Sequence, residues 1–407
     1  MTTVGLEAIK QAAKLLTGII APTPVEHSRA LTEVWGGPVY LKCENLQHTG
    51  SFKLRGAYVR LARLSAAERA RGVVAASAGN HAQGVALAGR QLGIDVTVFM
   101  PRDAALPKVD ATRNYGARVE LVGSDVAQTL AHAEQYARET GAVLVHPFDH
   151  PDVVTGQGTI GLEILNQVPD VQTVLVPTGG GGLLAGVGAA LAEAAPHVRV
   201  VGVQAERAAA YPSSLRAQAP QTVAPNGTMA DGIAVPTPGT TPFEIVRALD
   251  IDVITVGEDV ISRALLALAE RAKLIVEPAG AVGVAAILAQ ELDLPGPAVA
   301  ILSGGNIDPV VLLRVLRHGL SAAGRFIHLR IHVTDNPGVL ARLLNLLADL
   351  SANVMHVEHT RAGVDLSVDE VEISMQLETR GAEHCREVLD ALRTAGYRVV
   401  GQEGYRA

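Results

Sequence analysis

From about residue 38 to residue 320, short unbroken apolar runs alternate with longer stretches whose apolar positions recur at helical spacing. The largely apolar runs at 73–76, 96–100, 119–121, 173–176, 200–203 and 299–302 are too short for helices and predict short buried strands. Strands of that kind separated by helical stretches predict an α/β region of parallel sheets wrapped by helices. A run of small residues, Ser321-Ala322-Ala323-Gly324, then marks a boundary. After it, 325–333 alternates like a half-buried strand and 338–350 carries leucines at helical spacing. Residues 353–359 and 370–377 alternate again, 382–392 is helical and 397–400 is a last short strand. The pattern predicts two domains, 1–320 and 325–407, the second with β-α-β-β-α-β order.

Composition agrees with two sizeable cores, since 48% of the 407 residues are hydrophobic. A net charge of −7 without a basic block argues against nucleic-acid binding. Residues 174–192 carry no charged side chain, but Pro177 and four glycines divide them into a strand and a helix, so no membrane span is expected. Glu7, Lys10, Gln11 and Lys14 at helical spacing do not make a secretory signal. The two cysteines, Cys43 and Cys385, fall in different predicted domains, which fits a reducing, cytoplasmic setting without a structural disulfide.

Chemistry enters with Ser51-Phe52-Lys53-Leu54-Arg55-Gly56-Ala57, which sets a lysine between aromatic and small residues at a predicted strand-to-helix junction. Only six of the 34 basic residues are lysine, so arginine serves almost wherever a positive charge suffices. Lysine can lose its proton and attack a carbonyl, whereas arginine cannot. Lys53 is therefore a candidate cofactor anchor; the competing reading is a solvated lysine ahead of a helix. A second run, Val174-Leu175-Val176-Pro177-Thr178-Gly179-Gly180-Gly181-Gly182-Leu183, leads a strand through four glycines into a helix. Such a loop can close backbone N–H groups around a phosphate at a helix N-terminus, though a plain glycine turn reads the same way. It lacks the ending of a nucleoside-triphosphate loop and the spacing of a dinucleotide fingerprint, so neither ATP nor NAD is expected. Ser77-Ala78-Gly79-Asn80-His81-Ala82-Gln83-Gly84 is another strand-end loop, rich in small donors that suit a carboxylate. His81 taken alone reads more readily as a structural hydrogen-bonder. Ala300-Ile301-Leu302-Ser303-Gly304-Gly305-Asn306 ends a fourth strand in a hydroxyl and glycines.

Together these motifs resemble the fold-type II pyridoxal-phosphate enzymes, and within them the threonine ammonia-lyases (threonine dehydratases). The resemblance spans essentially the whole chain. It implies two catalytic lobes, the smaller at about 50–150 inserted in the larger, with pyridoxal 5'-phosphate between them. It also implies that Lys53 carries the cofactor as a Schiff base beside Phe52, that Asn80 bonds the phenolic oxygen, and that Gly179, Gly180, Gly181, Gly182 and Leu183 hold the phosphate. Ser303 then faces the pyridine nitrogen, Glu277 lies near the ring, and Ser77, Ala78, Gly79, Asn80 and His81 receive the substrate carboxylate. A neutral hydroxyl at Ser303 cannot hold the ring nitrogen protonated as an ion pair, which favours prompt loss of a β-hydroxyl over transamination. Threonine would give 2-oxobutanoate and ammonia, and serine would give pyruvate.

Two departures narrow the implication. Related serine racemases carry a second serine where this chain has Ala78, so racemisation is not expected. Relatives that bind a divalent cation use acidic residues where this chain offers Gln204 and Ala210, with Glu206 out of register, so no tight metal site is expected. The C-terminal pattern, with Asp335-Asn336-Pro337-Gly338-Val339-Leu340 at its first turn, resembles the ACT regulatory domain. That resemblance implies an amino-acid effector, isoleucine by family precedent, held by Asp335, Asn336, Gly338, Val339 and Leu340. A dimerisation module that binds nothing is the alternative. A homodimer or homotetramer is expected. The substrate stays open between threonine, serine and a bulkier β-hydroxy amino acid, and two other classes remain: a β-replacement enzyme on the same scaffold, or a non-catalytic amino-acid sensor.

Overall fold

The computed structural model describes residues 4–224, 226–289, 294–361 and 366–403. The chain divides into two compact units, Met1–Pro309 and Val310–Ala407. The division falls after the first residue of the helix Pro309–Ala322, earlier than the small-residue run that marks a boundary in the sequence. Those small residues serve packing instead: a Cβ on Gly324 would lie 2.8 Å from the backbone nitrogen of Ala382.

The first unit is built on two sheets. The larger takes β1 (Val25–His27), β2 (Val39–Lys42), β7 (Thr173–Pro177), β8 (Arg199–Ala205), β9 (Asp252–Val256) and β10 (Ala298–Ile301), in the order β1-β2-β10-β7-β8-β9. Only the β1–β2 pair is antiparallel. The smaller sheet is wholly parallel and takes β3 (Val73–Ala76), β4 (Val96–Met100), β5 (Arg118–Leu121) and β6 (Val143–Leu144), in the order β5-β4-β3-β6. Its strands all lie between β2 and β7 in the chain, so the small lobe is an insertion in the large one.

Strand β3 shows why the apolar runs are unbroken. Val73 and Ala75 point into one core cluster, with Leu54, Leu61 and Val85, while Val74 and Ala76 point into another, with Ala133 and Phe99. Strands β7 and β10 are likewise buried throughout, which brings their carboxyl ends side by side at the centre of the large sheet. Ligands in parallel sheets bind outside such strand ends.

The second unit pairs β11 (Phe326–Thr334), β12 (Asn353–Thr360), β13 (Glu370–Glu378) and β14 (Arg398–Glu403) in the antiparallel order β12-β13-β11-β14. The alternate residues Ile327, Leu329, Ile331 and Met375 form one apolar face. Helices Val339–Asp349 and Ala382–Thr394 cover it with Leu343, Leu347, Val388 and Leu392. This is the β-α-β-β-α-β order expected.

Cys43 and Cys385 are free, buried and in different units, and burial pushes the Cys43 thiol up to about 12. Among the described residues no helix is long and apolar enough to cross a membrane. No group of three or more His, Cys, Asp or Glu among them is arranged to hold a metal ion. Gln204 spends its side-chain oxygen on the Tyr211 N–H, at 2.9 Å, and Glu206 is exposed.

Candidate active site

Residues that follow β2, β3, β7 and β10 line one cavity of about 530 Å³ in the first unit. Phe52, Lys53, Ser77, Ala78, Gly79, Asn80, His81, Gly179 to Leu183, Glu277 and Ser303 all reach it, so four separate sequence motifs meet at one place.

Lys53 opens the helix Lys53–Ala62. The loop before it is fastened to the end of β10: Phe52 N–H donates to the Ser303 carbonyl at 3.2 Å, and Ser51 bridges Gly304. The Lys53 amine donates to the Pro147 carbonyl at 2.9 Å and lies 5.2 Å from the centre of the Phe52 ring. Burial pushes it down from 10.5 to about 8, against the pull of Glu277. A minority of the amine, far larger than for a lysine in water, is therefore neutral near physiological pH, as a nucleophile or base requires.

Asn80 opens the helix Asn80–Leu92, and its Nδ2 donates to Glu277 Oε1 at 2.7 Å. Burial, and then Asp231, push the Glu277 carboxyl up to about 7, while the hydrogen bond from Asn80 and the charges of Lys108 and Lys53 oppose the rise. The two cavity histidines are neutral for a common reason. His81 sets Nε2 2.8 Å from the Val145 carbonyl, so Nε2 carries its proton. Burial, helped by Lys53, brings its pKa down to about 3. His146 accepts the Asp149 N–H at Nδ1, at 2.8 Å, and burial brings it down to about 4.

The glycine run has to be glycine. Gly181 has φ +96°, a left-handed conformation, and opens the helix Gly182–Ala194. A Cβ there would strike the Tyr211 hydroxyl, and one on Gly180 would strike the Phe148 ring. The loop thus stays free of side chains, with backbone N–H groups and a helix N-terminus suited to an anion. Ser303 follows β10 and is almost fully buried, and Ser77 accepts the Gly79 N–H at 3.2 Å in the loop after β3.

Sequence reasoning missed Lys108, Asp231, His146, Phe148 and Asn306, which also line the cavity. Lys108 was findable, because the scarcity of lysine that singles out Lys53 applies to it equally. Lys108 faces Asp231 at 3.7 Å. Asn306 was findable too, because it closes the Ser303-Gly304-Gly305-Asn306 run, whereas Asp231, His146 and Phe148 carry no local signal and lie in loops far along the chain from Lys53.

In the second unit, Asp335, Asn336, Gly338, Val339 and Leu340 form the turn from β11 into the helix Val339–Asp349. The Asp335 carboxylate is paired with Arg361, at 2.9 and 3.4 Å, and the Val339 and Leu340 side chains pack on the core.

A family model described as pyridoxal-phosphate dependent enzyme matches residues 16–304. An L-threonine ammonia-lyase of Thermotoga maritima is 47% identical, over 97% of this chain and 99% of its own length. Among solved structures, maize serine racemase superposes with a TM-score of 0.73 at 33% identity, covering 78% of this chain and 98% of that one. The processed form of threonine deaminase isoform 2 from Solanum lycopersicum superposes with a TM-score of 0.72 at 35% identity, covering 78% and 95%.

Proposed function

The chain belongs to the pyridoxal-phosphate dependent enzymes, among the L-threonine ammonia-lyases, and from that membership we propose that it converts L-threonine to 2-oxobutanoate and ammonia, and L-serine to pyruvate and ammonia. The observation that carries this reading is Lys53: a half-buried amine, held to about 8, that opens into the same cavity as an unobstructed glycine loop. These residues fit the cofactor. The Gly179–Leu183 backbone would hold the phosphate, Lys53 the aldehyde carbon, Asn80 the phenolic oxygen, and Ser303 the ring nitrogen as a neutral partner.

Bound pyridoxal phosphate supplies an electron-accepting ring, conjugated to the substrate's amino nitrogen, which makes the α-hydrogen acidic. The protein does the rest. Loop 77–81 holds the substrate carboxylate through N–H groups and the Ser77 hydroxyl. With cofactor and substrate in place, Lys53 Nζ would be the base that takes the α-proton, and its depressed pKa keeps it competent near neutrality. In net the α-proton and the β-hydroxyl leave as one molecule of water, and a second water hydrolyses the imine tautomer of the enamine product, releasing ammonia. Ala78 offers no proton donor for the opposite face, which supports elimination over racemisation.

The second unit is read as an amino-acid-binding regulator. The N-terminus of the helix Val339–Asp349 has no side-chain cap, which supports carboxylate binding at the 335–340 turn. The assembly is read as a homodimer or homotetramer in the cytoplasm. Release of 2-oxoacid from L-threonine and L-serine by purified protein, with and without isoleucine and alongside Lys53→Ala, tests both parts. Turnover lost in the variant and reduced by isoleucine is expected; no 2-oxoacid from either substrate overturns the catalytic reading, and isoleucine indifference overturns the regulatory one.

A further inference from the structure

Asn306 closes the Ser303-Gly304-Gly305-Asn306 run and has no part in the chemistry above. Its Nδ2 donates to the Thr49 carbonyl at 2.6 Å and to Asn80 Oδ1 at 2.8 Å. The Thr49 carbonyl can only accept, so the atom that Asn306 turns toward it must be nitrogen. Both hydrogens of that nitrogen are then spoken for, and Asn80 must meet it with oxygen. The Asn80 nitrogen is left toward Glu277, at 2.7 Å, and the cavity. The Asn306 carboxamide also fills the space that a Cβ on Gly50 would need, in the loop leading to Lys53.

We propose that Asn306 is a positioning residue that fixes the direction of the Asn80 carboxamide, so that Asn80 offers the cofactor's phenolic oxygen a donor and never an acceptor. The proposal rests on the pyridoxal-phosphate reading of the cavity. Glu277 by itself cannot fix that direction. Ionised, it accepts from the Asn80 nitrogen; protonated, it can donate to the Asn80 oxygen and accommodate a flipped amide. The charged groups acting on Glu277 are Asp231, Lys108 and Lys53, and they and burial leave it titrating near 7. Below that pH Asn306 is the side chain that opposes the flip, adding to the repulsion that a flipped lone pair would meet from an oxyanion.

The test follows the visible absorption band of the holoenzyme, which reports the ionised phenolic oxygen, relative to the near-ultraviolet band of its neutral form. Wild type, Asn306→Ala and Asn306→Asp are titrated from about pH 6 to about pH 9, and the cofactor dissociation constant is measured for each. The band ratio is expected to fall severalfold at the acid end, in the order wild type, Ala, Asp. For Asn306→Ala the gap closes toward the alkaline end, where ionised Glu277 enforces the orientation unaided. Asp is nearly isosteric with Asn but replaces the donor with an acceptor, so a residue that mattered only for packing would rank Asp above Ala. Asn306→Ser, which keeps a small donor and is expected between wild type and Ala, serves if either variant fails to fold. Unchanged ratios, or Asp closer to wild type than Ala, overturn the proposal while leaving the cofactor reading intact. A wild-type protein that takes up no cofactor overturns both.

Discussion

Arg55 and Glu44 form a two-point ion pair in which neither side chain is exposed: Nε donates to Oε2 and Nη2 to Oε1, both at 2.8 Å. Glu163 binds the same guanidinium and also Lys42, each at 2.6 Å, and the Thr23 hydroxyl donates to Glu44 at 2.5 Å. The cluster ties the helix that Lys53 opens to β2 and to the helix Pro151–Gln167. Arg55→Met strips a buried carboxylate of its partner, and breaking such a pair costs about 3–5 kcal/mol. Urea unfolding should show a loss of that size, with much of it recovered in the Arg55→Met, Glu44→Gln double variant. A loss well under 1 kcal/mol in the single variant would mean that water reaches Glu44.

Cofactor uptake should titrate with Lys53. The amine must be neutral to attack an aldehyde, and burial has brought its pKa from 10.5 to about 8. The rate at which apoenzyme gains its visible band should therefore rise with pH and level off above about 8. Apoenzyme stability should also rise between about 8 and 10.5, because the unfolded chain binds the proton that the folded one has lost. A rate still climbing at pH 10 would place the amine in water.

Glu277 gives the opposite trend. Its folded pKa of about 7 lies above the ordinary 4.5, chiefly through burial and then Asp231, so its contribution to stability is complete below 4.5 and is lost as pH rises through 7. Glu277→Gln cannot ionise. Its unfolding free energy relative to wild type, measured in urea, should improve from pH 5 to pH 8 by an amount on the order of 2–3 kcal/mol. A constant difference would show that Lys53 and Lys108 keep the carboxylate ionised throughout.

Gly181→Ala should cost cofactor affinity by tenfold or more. The left-handed backbone alone penalises a Cβ by about 1–2 kcal/mol, and the Tyr211 hydroxyl occupies its space. Adding Tyr211→Phe removes the hydroxyl but leaves the ring carbon Cζ 2.7 Å from the Cβ, together with the backbone penalty, so it should restore affinity only in part. Gly79→Ala is the contrast: its φ is −142° and a Cβ there meets nothing within 4 Å, so cofactor affinity should hold. Fluorescence titration of apoenzyme with cofactor measures all three.

The fold was legible in sequence wherever burial left a pattern. Strand β3 reads as an unbroken Val73-Val74-Ala75-Ala76 because both of its faces are covered, and β11 alternates because one face is. The sheet's edges left less trace. Strands β1 and β9 carry Glu26, His27, Asp252 and Thr255 into solvent or half-burial, and β6 is two residues long. The run at 321–324 looked like a joint because close packing and flexible linkage both select small side chains.

The sequence by itself determined the candidate chemistry. A lysine in an arginine-rich chain, four adjacent glycines and two small-residue strand ends each point to a function through their own residue types, with no knowledge of their neighbours. Tertiary structure alone decided how those groups behave. Asn80, Glu277 and Asn306 lie far apart in the chain, and their hydrogen bonds exist only because the loop after β3 of the small sheet meets the loop after β10 of the large one. The pKa values of about 8 for Lys53 and about 7 for Glu277 belong to no local motif. They arise from removing each group from water and from the charges that folding brings near it, and a linear sequence specifies neither directly.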